Sequence, residues 1–108
     1  MGVPFQGLTE GATDHDVWQA QLALADQVEP RGFDSIWTTE HHFTDYSMSP
    51  NPTQFLTWAA ARTQRVQLGS MVIVVPWHNP VRLAEELAVL DTISGGRLIA
   101  GFGRGLGP

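Results

Sequence analysis

Three strand-like runs begin at Phe33, Val66 and Arg97, 33 and 31 residues apart, and each interval is filled by a stretch of helical periodicity. Strands that recur at that interval with a helix between them cannot pair as hairpins. They pair in parallel through right-handed crossovers. This spacing predicts an α/β fold of strand-helix units, one domain at most for 108 residues.

The helices carry their own punctuation. Thr13 followed three residues later by Asp16 resembles a capping box, after which Val17, Ala20, Leu24 and Val28 recur at helical spacing up to Gly32. Pro30 lacks an amide proton and is expected to push Glu29 out of the helical region, distorting the last turn before Gly32 reverses the chain. Asn51-Pro52 and Asn79-Pro80 each place a cap before a proline at the first helical position. The second helix turns Phe55, Leu56, Ala59 and Ala60 inward. The third turns Leu83, Ala84, Leu87, Ala88 and Leu90 inward and Arg82, Glu85 and Glu86 outward, until Gly95 and Gly96 stop it.

The strands are "FDSIWTT", "VQLGSMVIVV" and "RLIAGFG". Met71 to Val75 is apolar without alternation, as expected for a parallel strand covered on both faces. "GVPFQGL" at residues 2–8 is a weaker first strand, because Pro4 and Gly7 do not suit a central position. With it the order is (βα)₃β. Four parallel strands make either a small open sheet or half of an eight-stranded (TIM) barrel, whose inward side chains need the other half to pack against. The glycine-rich "RGLGP" after the last strand favours the half-barrel. Four strands alone would leave open edges and an uncovered apolar face, so the 108-residue chain is expected to self-associate or be only partly ordered.

Composition excludes several functions. With no Cys, neither disulfides nor thiolate chemistry can be proposed, and the cytosol is the favoured compartment. No apolar run approaches the ~20 residues of a membrane span, so no membrane is expected. Net charge is −5 with six arginines and no lysine, so no basic stripe is available for nucleic acid.

Parallel α/β sheets bind ligands at the carboxyl ends of their strands. Here those ends carry Glu40, His41, His42 and Asp45, then Trp77 and His78, then Arg104 between Gly103 and Gly105. Because strand side chains alternate, His41 and His42 cannot both face one ligand unless the strand bends. One functional imidazole supported by the Glu40 carboxylate is chemically sensible. The competing reading is that Glu40 and His42 hold the strand end through hydrogen bonds to loop backbone. A metal site has less support, since one pair plus distant His78 matches no ligand spacing of known type. Arg104 with its flanking glycines suits a phosphate or an electron-rich ring, or is a surface turn. The four tryptophans read as packing residues, although Trp77 could serve a ligand.

The stretches "GFDSIWTTEHHFTDYSMSPNP" and "VQLGSMVIVVPWHNPVRLAEELAVLDTISGGRLIAGFGRG", in this order and at this separation, resemble the bacterial-luciferase-like family of flavin-dependent monooxygenases from about Gly32 to Gly105. The resemblance implies the N-terminal half of a (β/α)₈ barrel that binds reduced FMN, or in one branch a deazaflavin. It implies a catalytic role for His41 near the flavin, with Glu40 and His42 as supports. It also implies a non-proline cis bond at Met71–Val72 against the flavin ring, Gly103 near the reactive flavin carbon, and Arg104 holding the cofactor. Luciferase itself has a cysteine where this chain has Gly103, so light emission is not implied. O₂ and a small organic substrate, and a flavin reductase supplying reduced flavin, are the implied partners. The second and third helices match the pair through which luciferase-type subunits dimerise, and alanines 59, 60, 61, 84 and 88 would allow close approach there. A non-catalytic half-barrel that only dimerises is the alternative.

Overall fold

The computed structural model describes residues 12–43 and 49–105, so the weak strand at 2–8 lies outside the described residues. The described elements are α1 (Asp14–Val28), β1 (Ser35–Thr38), α2 (Pro52–Arg62), β2 (Gln67–Val74), a short 3₁₀ turn (Val75–Trp77), α3 (Pro80–Ile93) and β3 (Leu98–Gly103). The three strands form one sheet in the order β1-β2-β3, and both pairings are parallel. Ser35 to Thr38 pair in register with Gln67 to Ser70, and Leu68 to Ser70 with Leu98 to Ala100. The register then shifts between Ser70 and Ile73. These are strand-helix units of the kind that make up a (β/α)₈ barrel.

One face of this sheet builds the core. Ile36 and Leu68 from the sheet, Leu56 from α2, Leu90 from α3, Val28 from α1 and Val66 before β2 are all 1% exposed or less. They form one cluster that Trp18, Trp58 and Leu98 flank. Removing a side chain such as Leu56 from water contributes roughly 1.5–3 kcal/mol. Among the described residues no helix is long and apolar enough to cross a membrane.

The helix starts form as their sequences predict, with one difference. Thr13 and Asp16 bond each other's amides reciprocally at 3.1 Å, a complete capping box. Asn79 Oδ1 accepts from the amides of Val81 and Arg82. Asn51 precedes the same proline but does not cap, because its Oδ1 accepts instead from the Thr53 hydroxyl at 2.8 Å.

Four expectations are corrected. On α1 the buried stripe is Val17, Gln21, Ala25 and Val28, and Leu24 is 42% exposed. Periodicity among apolar residues alone could not see that a glutamine holds one of the inward positions. Glu29 keeps helical angles before Pro30 (φ −69°, ψ −47°). Its carboxylate accepts from the amides of Gln64, Arg65 and Val66 at 2.7–3.1 Å, bonds that outweigh the steric bias proline imposes on its predecessor. On α3 only Leu83 and Leu90 are buried, whereas Ala84 and Ala88 are exposed and Leu87 is half-buried. The sheet has no described strand beyond β3 for that helix to cover. Met71 and Val75, expected under cover on both faces, stay 57% and 40% exposed, Met71 on the central strand and Val75 in the 3₁₀ turn past its end.

At the amino ends of the strands, Arg97 ties three elements together. Its guanidinium donates to the carbonyls of Ala60, Thr63 and Val66 and to the Thr63 hydroxyl, and its Nε donates to the Ser94 carbonyl. A cation thereby satisfies the last carbonyls of α2 while starting β3. Gly32 accepts the reversal after α1 at φ +85°.

The Glu29 clamp has a pH signature. Partial burial pushes the carboxyl up, but the three amides and the Arg65 charge hold it on balance below its ordinary value of 4.5. A carboxyl whose pKa is depressed by folding stabilises fully above its unfolded value and loses that contribution as pH falls through the folded one. Glu29→Gln is therefore expected to unfold at lower urea than the unsubstituted protein at about pH 7, with the gap closing below pH 4.5. Equal gaps at about pH 7 and about pH 3 would count against the clamp.

Candidate functional site at the strand exits

β1 ends at Thr38, three residues before His41, so strand alternation does not govern where the two histidines point. The chain bends instead. The Ser49 hydroxyl donates to the Thr39 carbonyl and lies 3.2 Å from the Thr38 hydroxyl, and the His41 amide donates to the Ser49 carbonyl at 2.8 Å. Phe43 follows with φ +53° and is 96% exposed. Asp45 lies outside the described residues.

Glu40 is the centre of this region. Its side chain has no exposed surface, which is tolerable for a carboxylate only if its oxygens are partnered. They are. Oε1 accepts from the Val74 amide at 3.0 Å and lies 2.8 Å from His78 Nε2, and Oε2 lies 2.6 Å from His42 Nε2. The His42 ring stacks on Trp77, centroids 4.1 Å apart at 19°. The exit of β1 is thus bonded to the last residue of β2 and to the turn beyond it.

The other predicted site residues sit at the neighbouring exits. The Met71–Val72 peptide is cis, where the register of β2 against β3 shifts. Met71 is largely exposed and Val72 half-buried. Gly103 is in register with Val74, and a Cβ there would stand 2.6 Å from Val72 Cγ2, so the backbone of β3 approaches Val72 only because the residue is glycine. Arg104 is exposed immediately after β3, and its side chain bonds no described residue. The structure thus brings Met71, Val72, Gly103 and Arg104 onto adjacent exits. His41 joins them through its neighbour, since Glu40 is held by Val74, two residues past Val72.

Two participants escaped the sequence reading. His78, set apart there as distant, lies against Glu40, and Ser49 closes the bend. The adjacency of β1 and β2 was the available signal for His78, since neighbouring strands have neighbouring exits. Nothing in the sequence marked Ser49. The alternative in which Glu40 and His42 hold loop backbone is met in part: Glu40 does bond a backbone amide, and its other partners are imidazoles. Among the described residues no group of three or more His, Asp or Glu side chains is arranged to hold a metal ion.

Known proteins resemble this chain in sequence and fold. The family model for luciferase-like monooxygenases matches residues 2–108. The oxygenase component of flavin-dependent trigonelline monooxygenase from Acinetobacter baylyi is 33% identical over 103 residues, 95% of this chain and 29% of that protein. Among solved structures, monooxygenase RslO1 from Streptomyces bottropensis superposes with a TM-score of 0.87 and 40% identity over 97% of this chain and 32% of its own. The oxygenating constituent of 3,6-diketocamphane monooxygenase from Pseudomonas putida, in complex with FMN, gives 0.85 and 25% identity over 98% of this chain and 31% of its own. The chain spans about a quarter of the length of the curated relatives it matches.

The contact between Gly103 and Val72 is open to direct test. Gly103→Ala is expected to destabilise by about 1–3 kcal/mol through overpacking, and Val72→Ala in the same protein should recover part of that loss. Additive losses in denaturant titrations would show that the two strands do not meet at this point.

Proposed function

The chain belongs to the luciferase-like monooxygenase family, and from that premise we propose that its 108 residues are the N-terminal part of a (β/α)₈ barrel domain that binds reduced FMN at the strand exits and uses O₂ to oxidise a small organic substrate. One observation carries the reading. Exposed Met71 with Val72 near the end of β2, side-chain-free Gly103 and the exposed cation Arg104, which bonds no described residue, lie on adjacent strands, beside the bend that bears His41. This set fits a flavin: exposed apolar surface at Met71 for a flat ring, Val72 held close to β3 by Gly103, and an arginine for the cofactor's negative charge.

When bound, reduced flavin supplies the two electrons with which one oxygen atom of O₂ enters the substrate and the other becomes water. Met71 and Val72 would back the cofactor, Gly103 would keep β3 close against Val72, and Arg104 would hold the cofactor's negative charge. His41 exchanges a proton at its imidazole during turnover. The name of the Acinetobacter relative, an oxygenase component, supports a separate flavin reductase as the source of reduced flavin. A deazaflavin is the second candidate cofactor, because the residues that meet the ring do not discriminate the two. We place the protein in the cytosol, where such a reductase would meet it.

Dimerisation through α2 and α3 is part of the same reading, and the two helices divide the work. Ala59 and Ala60 are buried in the chain's own core and cannot contribute. Ala61, Ala84 and Ala88 are exposed, as are Val81, Val89 and Ile93 at 56–69%. Those exposed apolar side chains are what a second subunit would cover.

Anaerobic titration of these residues within the complete barrel with reduced FMN and with reduced deazaflavin tests the cofactor, and binding of neither would sink it, whereas the 108 residues alone are expected to bind FMN weakly or not at all. In the complete barrel His41→Ala is expected to lower turnover by ~10²-fold or more with modest loss of flavin affinity, whereas His42→Ala should mainly cost stability. The opposite pattern would give the catalytic role to His42.

A further inference from the structure

We infer that Glu40 is a positioning residue, a buried carboxylate that holds His42 and His78 as Nε2–H donors and so fixes the bend bearing His41 against the exit of β2. Its consequence for turnover rests on the flavin reading. Its geometry does not.

The hydrogen-bond inventory leads to this assignment. An ionised carboxylate only accepts, and Oε1 already accepts from the Val74 amide, a donor that cannot change role. His78 Nε2 lies 2.8 Å from that same oxygen, so it too must donate. His42 Nε2, 2.6 Å from Oε2, completes three donors for one anion whose side chain is wholly enclosed. Both rings are themselves largely covered, with 18% and 15% of their side chains exposed. Trp77 lies flat on His42 and covers one face of that ring. Each neutral imidazole is therefore the Nε2–H tautomer.

The same bonds join residues far apart in sequence. Glu40 sits between Thr39, whose carbonyl takes the Ser49 hydroxyl, and His41, whose amide is held by Ser49. Val74 is two residues beyond Val72, and His78 lies just past the 3₁₀ turn. A single carboxylate thus sets the spacing between the segment that carries His41 and the strand end that carries Met71 and Val72. A general acid or base works only within hydrogen-bond reach of its target, so a small displacement of this bend is felt in turnover before it is felt in cofactor binding.

Glu40→Gln keeps the shape but presents one NH₂ donor where there were only acceptors, so the ring facing it must accept and carry its proton on Nδ1. Long-range ¹H–¹⁵N correlation spectra of the imidazoles in flavin-free protein decide this. Protonated Nε2 on both His42 and His78 in the unsubstituted protein, and a shift of one ring to the Nδ1–H form in Glu40→Gln, are the expected results. An unsubstituted protein with either ring protonated on Nδ1 alone would overturn the inference, and that measurement needs no variant to fold. In turnover assays Glu40→Gln is expected to lose ~10-fold or more in kcat while its Kd for reduced FMN changes by less than ~3-fold. Unchanged kcat would refute the positioning role. If the unsubstituted protein binds no reduced flavin, the cofactor reading alone fails, and the imidazole spectra still judge the Glu40 network.

Discussion

A carboxylate with no exposed surface can persist only where the fold supplies donors for it, and Glu40 is supplied with three: a backbone amide from β2 and two imidazoles from different loops. Removing one partner would leave a buried charge or a buried donor uncompensated, so the three contacts stand or fall together. This turns two strand exits into one unit. Trp77 adds a lid of aromatic surface over His42, and Ser49 closes the bend from the other side.

The opposite end of the sheet is built by different means. There Arg97 collects carbonyls from the end of α2 and the approach to β2, and Glu29 collects the amides of the same approach. Arg62 pairs with Asp26 through two bonds, joining α1 to α2, and its guanidinium lies 5.3 Å from the centre of the Trp58 ring. These ionic groups satisfy helix ends and loop amides, with no ligand in view. The ionic contacts at the amino ends thus serve the fold alone, while the candidate site lies toward the carboxyl ends, the division that parallel barrels show generally.

Large apolar side chains remain uncovered on α3, at Met71 and Val75, and at Phe102. Scattered exposed apolar residues need no explanation. Val81, Val89 and Ile93 nevertheless lie on a helix proposed for subunit contact, and Met71 on the strand proposed to meet the flavin. Exposure and proposed function therefore coincide at both places.

Much of this was legible in the sequence. The parallel order, the capping box at Thr13, the Asn-Pro helix starts, the inward face of α2 and the glycine stops are local signals, since each is decided by residues within a turn or two of one another. The readings that failed had a common cause. Whether Ala84, Ala88 or Met71 is covered depends on what packs against it, and hydrophobic periodicity cannot report a missing neighbour. Glu29 stays helical before Pro30 because of amides 35 to 37 residues away, which no propensity contains. At the candidate site the residue types of the EHH run, the apolar strand through Met71 and Val72 and the glycine-flanked arginine were determined by the sequence alone. That Glu40 faces His78 and Val74, 38 and 34 residues on, was decided only by the tertiary structure, because such contacts follow from the register of neighbouring strands and from no pattern along the chain.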